Sequence, residues 1–186
     1  TGYRFGTEER ARIYLTNALE PWVRQLPMIG FAALAHEAVA VNEIKRHKRF
    51  TVVIGNPPYQ GLSANMSEEA GRIIEPYKYI NGVHFGERKH WLHDDYVKFF
   101  RLAETRVTAS GVGVLGLITN HALYDNPTFN GMRWNLLKSF EHIRLLDLHG
   151  SPMRREKSPD GTADKNVFDI LQGVAISLLS KPPSKA

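Results

Sequence analysis

The spacing of apolar residues changes several times along this chain, and each change predicts an element. Ala11 to Leu19 (Ala-Arg-Ile-Tyr-Leu-Thr-Asn-Ala-Leu) carries β-branched and aromatic residues ahead of Glu20-Pro21, and predicts a strand ending near Asn17. From Ile29 to about His47 the apolar positions Ile29, Ala32, Ala33, Leu34, Ala38, Val41 and Ile44 recur at helical spacing, with Lys45, Arg46 and Lys48 at the end that favours cations. Phe50 to Ile54 is an unbroken apolar and β-branched run that predicts a strand buried on both faces, and Gly55 to Tyr59 stops it abruptly. Residues 60 to 92 lose periodicity and contain Gly61, Gly71, Pro76, Gly82 and Gly86, predicting a long excursion with one short helix around 67 to 74. His93-Asp94-Asp95 opens a helix that Asp94 or Asp95 can cap, with Tyr96, Phe99, Phe100, Ala103 and Val107 on its apolar face. A strand follows over Val112 to Ile118, then a helix from the cap-and-proline pair Asn126-Pro127 through about Phe140, a strand over 142 to 148, and a last strand from Gly173 to Leu179. Strands alternating with helices imply an α/β fold around a mostly parallel, doubly wound sheet.

With 186 residues the chain suits one well-cored domain, residues 1–186. At 42% hydrophobic and 23% charged residues, and with no apolar run near the ~18 needed to span a bilayer, no membrane partner is expected. The absence of cysteine excludes disulfides, thiolate metal sites and a cysteine nucleophile. A net charge of +5 is compatible with a polyanionic partner and selects none. The first residues, Thr-Gly-Tyr-Arg-Phe-Gly, lack an initiating methionine and read as the cut edge of something longer.

Candidate chemistry concentrates where the run at 50 breaks. Two consecutive prolines leave two backbone nitrogens without a proton, so the carbonyls of Asn56 and Pro57 cannot be absorbed into a regular ladder. The Asn56 amide adds a third acceptor oxygen, and Tyr59 adds an aromatic face. Acceptors and a ring on one rigid turn suit a planar substrate bearing an NH2 group, such as a nucleobase.

Asn56-Pro57-Pro58-Tyr59 matches the Asn-Pro-Pro-Tyr motif of S-adenosylmethionine-dependent amino-methyltransferases. With Val-Ile-Gly ahead of it, Ile-Thr-Asn-His at 118 to 121 and Lys-Asn-Val-Phe-Asp-Ile-Leu-Gln-Gly-Val-Ala-Ile at 165 to 176, most of the chain resembles the methyltransferase region of type ISP restriction-modification enzymes. The resemblance implies a Rossmann-like methyltransferase fold whose last strand enters antiparallel. It implies transfer of a methyl group from S-adenosylmethionine to N6 of adenine in DNA, with base flipping, in a bacterial cytoplasm. Asn56 and the Pro57 carbonyl would receive the amine, while Tyr59 and Phe168 would stack on the base, though a core phenylalanine is the other reading of Phe168. Asn17 stands at a strand end where the family often has an acidic cofactor ligand, and Asn56 is the other candidate to touch the cofactor. No glycine-rich cofactor turn precedes Asn56, so the resemblance also implies that the cofactor-binding part, a target-recognition domain and any nuclease or translocase domains belong to the rest of a longer polypeptide. An amino-methyltransferase acting on protein glutamine or RNA, or a noncatalytic scaffold, are the competing readings.

Three further features are weaker. Gly111-x-Gly-x-x-Gly116 has the pattern of a nucleotide loop but begins an apolar run rather than a helix, and is rejected as the cofactor loop. His93-Asp94-Asp95 has metal-binding residue types, but three neighbours at a helix start cannot converge on one ion, so no metal is expected. Lys78, Arg88 and Lys89 in the loop 60–92, and Arg154, Arg155 and Lys157 in the loop 149–166, are candidates for DNA-backbone contacts, with a solvated charge run as the alternative.

Overall fold

The computed structural model describes residues 6, 12–20, 32–58, 63, 68–87, 90–168 and 170–184, in two units, 1–48 and 49–186. In the first unit, helix α1 spans Ala32–His47 and ends on Lys45, Arg46 and His47. The start predicted at Ile29 lies outside the described residues. No strand forms over the described residues 12–17: Ile13 and Leu15 are 80% and 96% exposed, and the segment ends in a turn in which Leu19 N donates to Asn17 Oδ1 at 3.1 Å. β-propensity alone did not suffice there, because a strand needs a partner ladder and no described residue supplies one. Lys45 Nζ instead holds the turn to α1 by donating to the carbonyls of Asn17 at 2.8 Å and Glu20 at 3.0 Å.

The second unit is built on β1 (Val52–Gly55), β4 (Gly113–Asn120), β5 (His142–Asp147) and β6 (Val174–Lys181), in the order β1-β4-β6-β5. β1 and β4 are parallel, and β6 enters between β4 and β5 antiparallel to both, so three of the four strands point the same way. A methyl group on Gly113 would fall 2.4 Å from the Thr51 carbonyl, which itself accepts from Val114 N at 2.7 Å; only glycine lets the two strands close at this point.

Helix α2 (Glu68–Ile74), helix α3 (Asp95–Ser110) and helix α4 (Asn130–Ser139) complete the unit with the hairpin β2 (Tyr79–Ile80) and β3 (Val83–His84). Asp94 occupies the N-cap position of α3, but its side chain makes no capping bond. Asn126 does cap, accepting from Thr128 N at 3.0 Å and starting a 3-10 turn, Pro127–Phe129, that runs into α4. Val97, Phe100, Ala103 and Val107 of α3 and Met132 and Leu136 of α4 are buried with Leu115, Leu117 and Leu179, which share one face of the sheet. Alternation puts Val52, Ile54, Val114 and Leu178 on the other face, at 60%, 77%, 40% and 49% exposure. The expectation of a central strand buried on both faces is therefore corrected: among the described residues β1 is the edge of this sheet, and of its side chains only Val53 packs against the core. An apolar run reports that a strand avoids water without reporting which neighbours cover it.

The excursion after β1 is more ordered than its sequence suggested. Asn81 and Gly82, both at positive φ, make the two-residue turn of the β2–β3 hairpin, a signal the Asn-Gly pair carries by itself. Tyr77, within the stretch predicted as an excursion, is fully buried, and its hydroxyl donates to Glu104 at 2.8 Å.

Candidate active site

Gly55 pairs with Leu117 in parallel register, so Asn56, Pro57 and Pro58 leave the sheet at the carboxyl end of β1, the end at which Thr119 and Asn120 finish β4. Open α/β sheets place their ligands at that edge. Pro57 is buried and anchors the turn, while Asn56 and Pro58 are exposed. Pro57 and Pro58 cannot donate, and a residue before proline is pushed to extended conformations, so the carbonyls of Asn56 and Pro57 are turned away from helical pairing.

At the same end of the sheet a cleft of about 420 Å³ opens where β4 finishes. Asn120 begins the next turn, its Oδ1 accepting from Ala122 N at 2.9 Å, and His121 follows. His121 N donates to the Gly173 carbonyl at 3.0 Å and its ring lies so close that a Cβ on Gly173 would fall 2.3 to 2.7 Å from three ring atoms. His121 Nδ1 stands 3.4 Å from Asp147 Oδ1 at the end of β5, without hydrogen-bond geometry. The start of α3 contributes Asp94 and Tyr96, Phe129 comes from the turn before α4, and Trp91 comes from the 3-10 turn His90–His93. Tyr96 is 1% exposed, and its hydroxyl has no hydrogen-bond partner among the described residues. Burial, and then the neighbouring Asp94 carboxylate, push its ionisation well above the ordinary tyrosine range, so it is a neutral O–H group at any physiological pH. The rim cation, Arg154, is tied to Asp125 at 2.9 Å.

The remaining sequence candidates divide. Tyr59, Arg88 and Lys89 lie outside the described residues. Phe168 sits in the loop ahead of β6 at 38% exposure, its N–H donating to Asn166 Oδ1 at 2.9 Å, and it is no part of the core cluster. Asn17 belongs to the first unit, where its Oδ1 accepts from Leu19 and its Nδ2 donates to Glu20 at 3.0 Å, leaving little for a ligand. Lys78 is paired with Glu75 at 2.7 Å, which weakens its candidacy for a phosphate. Arg155 and Lys157 are exposed. No cluster of metal-binding side chains occurs among the described residues. Asp94, Tyr96 and Asn126 were not read from sequence as lining a binding cleft, because they converge with Trp91 only through the turns that carry them.

The Gly111-x-Gly-x-x-Gly116 pattern makes no phosphate-type loop, because Gly111 closes α3, Gly113 and Gly116 lie within β4 and no helix follows them directly; of the two cofactor candidates, the Asn17 amide is engaged and Asn56 is exposed. No described helix is long and apolar enough to cross a membrane.

The Eco57I restriction-modification methylase family model matches residues 13–153. Among solved structures, the chain is 27% identical to the ATP-dependent Type ISP restriction-modification enzyme LlaBIII bound to DNA, with a TM-score of 0.69, covering 91% of this chain and 12% of that one. A DrdV–DNA complex is 28% identical with a TM-score of 0.63, covering 81% of this chain and 15% of that one. A nuclease-deletion mutant of the Type ISP enzyme LlaGI in complex with a DNA substrate mimic, at 22% identity and a TM-score of 0.61, shares the fold over 82% of this chain and 15% of that one. No curated protein matches. The chain thus spans between about an eighth and a seventh of the length of these structures.

Proposed function

Because this chain belongs to the Eco57I restriction-modification methylase family, we propose that it carries the amine-receiving part of a site that methylates N6 of adenine in DNA, with S-adenosylmethionine as donor. The observation that carries this reading is the turn at Asn56 to Pro58: three acceptor oxygens on a proline-stiffened break, at the ligand-binding edge of the sheet, with the Asn56 side chain exposed. Similar structures are described as DNA complexes, which favours DNA over protein glutamine or RNA as the substrate.

S-adenosylmethionine supplies the methyl group when bound, and its holder is assigned to the rest of a longer polypeptide, together with target recognition. The residues of this chain act on the amine. The lone pair of an exocyclic nitrogen is delocalised into the ring and is a poor nucleophile. Acceptance of its two protons by the Asn56 amide oxygen and the Pro57 carbonyl favours a pyramidal nitrogen and aims the lone pair, a preorganised interaction that strengthens as reaction proceeds. Tyr59 stacks on the base, with Phe168 on its other face, offsetting part of the few kcal/mol that extrusion from the duplex costs.

In the complete enzyme, Asn56→Ala is expected to lower single-turnover transfer of labelled methyl to a duplex by about 100-fold or more, on the scale of roughly 3 kcal/mol for one lost transition-state partner. Duplex affinity should change far less, and digestion to nucleosides should place the label on N6-methyl-2′-deoxyadenosine. Near-normal transfer by the variant, or label on cytosine, overturns the assignment.

A further inference from the structure

We infer that helix α3 is the support on which the amine-receiving turn is set: Lys98 and Asp95 form a buried socket for Ser63, and all three are positioning residues for the transfer. The inference rests on the reading just given, and it concerns side chains that touch neither base nor donor. It starts from an anomaly of burial. Lys98 has 0% exposure, so it is no surface contact for a phosphate. It lies in the first turn of α3, and its ammonium stands 3.3 Å from the carboxylate of Asp95, three residues earlier. A pair at that spacing forms as well on a helix surface and contributes little there, so helix formation gives no reason to bury the ammonium. Burial of a charge is costly unless hydrogen bonds complete it. A completing group comes from a distant segment: Lys98 Nζ donates to Ser63 Oγ at 2.5 Å, and the same hydroxyl donates to Asp95 Oδ1. One O–H and two lone pairs let a serine do both at once.

Ser63 follows the turn at Asn56 to Pro58 by only five residues, at most about 17 Å of extended chain. The other end of the same segment is tied to the same helix. Ser110, the last residue of α3, donates through Oγ to the Phe50 carbonyl at 2.9 Å, two residues ahead of β1. Twelve residues of helix separate Lys98 from Ser110, roughly 18 Å along the axis. The stretch from Phe50 to Ser63 contains β1, the turn that presents Asn56 and the proposed stacking residue Tyr59, and a single rigid element holds both of its ends. Pro57, buried, anchors the turn between them. Such support matters because acceptors act on the amine only in the correct direction, and a displacement of about 1 Å at a reacting centre can cost orders of magnitude in rate.

The experiment uses the complete enzyme. Lys98→Met would also take the partner from Asp95, so the decisive variant is Ser63→Ala, which leaves Lys98 and Asp95 paired at 3.3 Å. At saturating duplex and S-adenosylmethionine, single-turnover methyl transfer should fall about tenfold or more, while duplex affinity stays within about threefold of wild type. Ser63→Thr keeps the hydroxyl and should restore most of the rate. A purely structural role would lower the urea midpoint of Ser63→Ala and leave the saturated rate of the folded enzyme unchanged. Because the socket acts through the turn, Ser63→Ala should cost much less on an Asn56→Ala background than it does alone. A full saturated rate in Ser63→Ala overturns the inference, as does a loss seen only as weaker duplex binding, or one that multiplies undiminished with that of Asn56→Ala. In each of these cases an Asn56→Ala variant that still transfers poorly leaves the wider reading standing. If Asn56→Ala transfers normally, the wider reading fails and this inference falls with it.

Discussion

Glu104 is 1% exposed in the middle of α3, and three groups from three segments meet its carboxylate: the Tyr77 hydroxyl at 2.8 Å, the Ser139 hydroxyl at 2.5 Å and the Arg101 guanidinium at 2.9 Å. Arg101 also lies over the Tyr77 ring, 5.7 Å from its centre. The cluster pins α4 and the segment before β2 to α3. Removing the carboxylate alone leaves Arg101 and two hydroxyls facing a void, so Glu104→Ala should cost about 3–5 kcal/mol in urea unfolding. Burial first, and then Glu104, raise the ionisation of Tyr77 well above the ordinary value. The unfolded chain loses that proton near pH ~10 and the folded chain holds it, so the contribution is complete below about pH 10 and is lost as pH rises through the folded value. Urea midpoints at about pH 8 and about pH 11 should therefore differ, and Tyr77→Phe should shrink the difference. Phenylalanine at 77 would also leave Glu104 one donor short, so its midpoint at the lower pH should fall as well. At Gly173 the constraint is steric. Alanine would press on the His121 ring, displace the start of β6, and disturb both the loop bearing Phe168 and the cleft wall, for a cost of about 1–3 kcal/mol.

At the scale of elements, the sheet has one covered and one open face, and substitutions should sort by face rather than by hydrophobicity. Leu115→Ala removes a fully buried side chain beneath α3 and should cost about 2–5 kcal/mol, whereas Ile54→Ala on the open face of β1 should cost under about 1 kcal/mol in the same 186-residue chain. Equal losses at the two positions would contradict the edge placement of β1. Element positions were largely legible from apolar spacing. The helix ending near His47, the short helix at 67 to 74, the strand after Gly111, the cap at Asn126 and the strand at 142 all stand where the pattern put them. Each is encoded within a few turns of chain. The hairpin at Tyr79–His84 was legible too, through Asn81-Gly82, but glycine and asparagine also punctuate irregular loops, and the two short strands leave almost no alternation to recognise.

For the molecule as a whole, the proposed amine acceptors stand on the turn after β1, while the glycines at 111, 113 and 116 are taken up by a helix end and a strand rather than a cofactor loop. The isolated 186 residues should accordingly show little or no S-adenosylmethionine binding by calorimetry; micromolar affinity would mean that a cofactor site lies within this chain after all. The sequence by itself determined the break of an apolar strand into Asn56-Pro57-Pro58, because proline geometry acts on its immediate neighbours regardless of the rest of the fold. It also determined that strands and helices alternate, through periodicities that each segment carries internally. Only the tertiary structure decided that β1 is the edge strand among the described residues, that Tyr77 faces Glu104 rather than solvent, that Lys78 is paired with Glu75, and that Trp91, Tyr96, Asn120 and Phe129 share one cleft. Those outcomes depend on which surfaces meet across long sequence separations. A local pattern specifies that a face is apolar or that a side chain can donate; it leaves open which distant residue will be there to meet it.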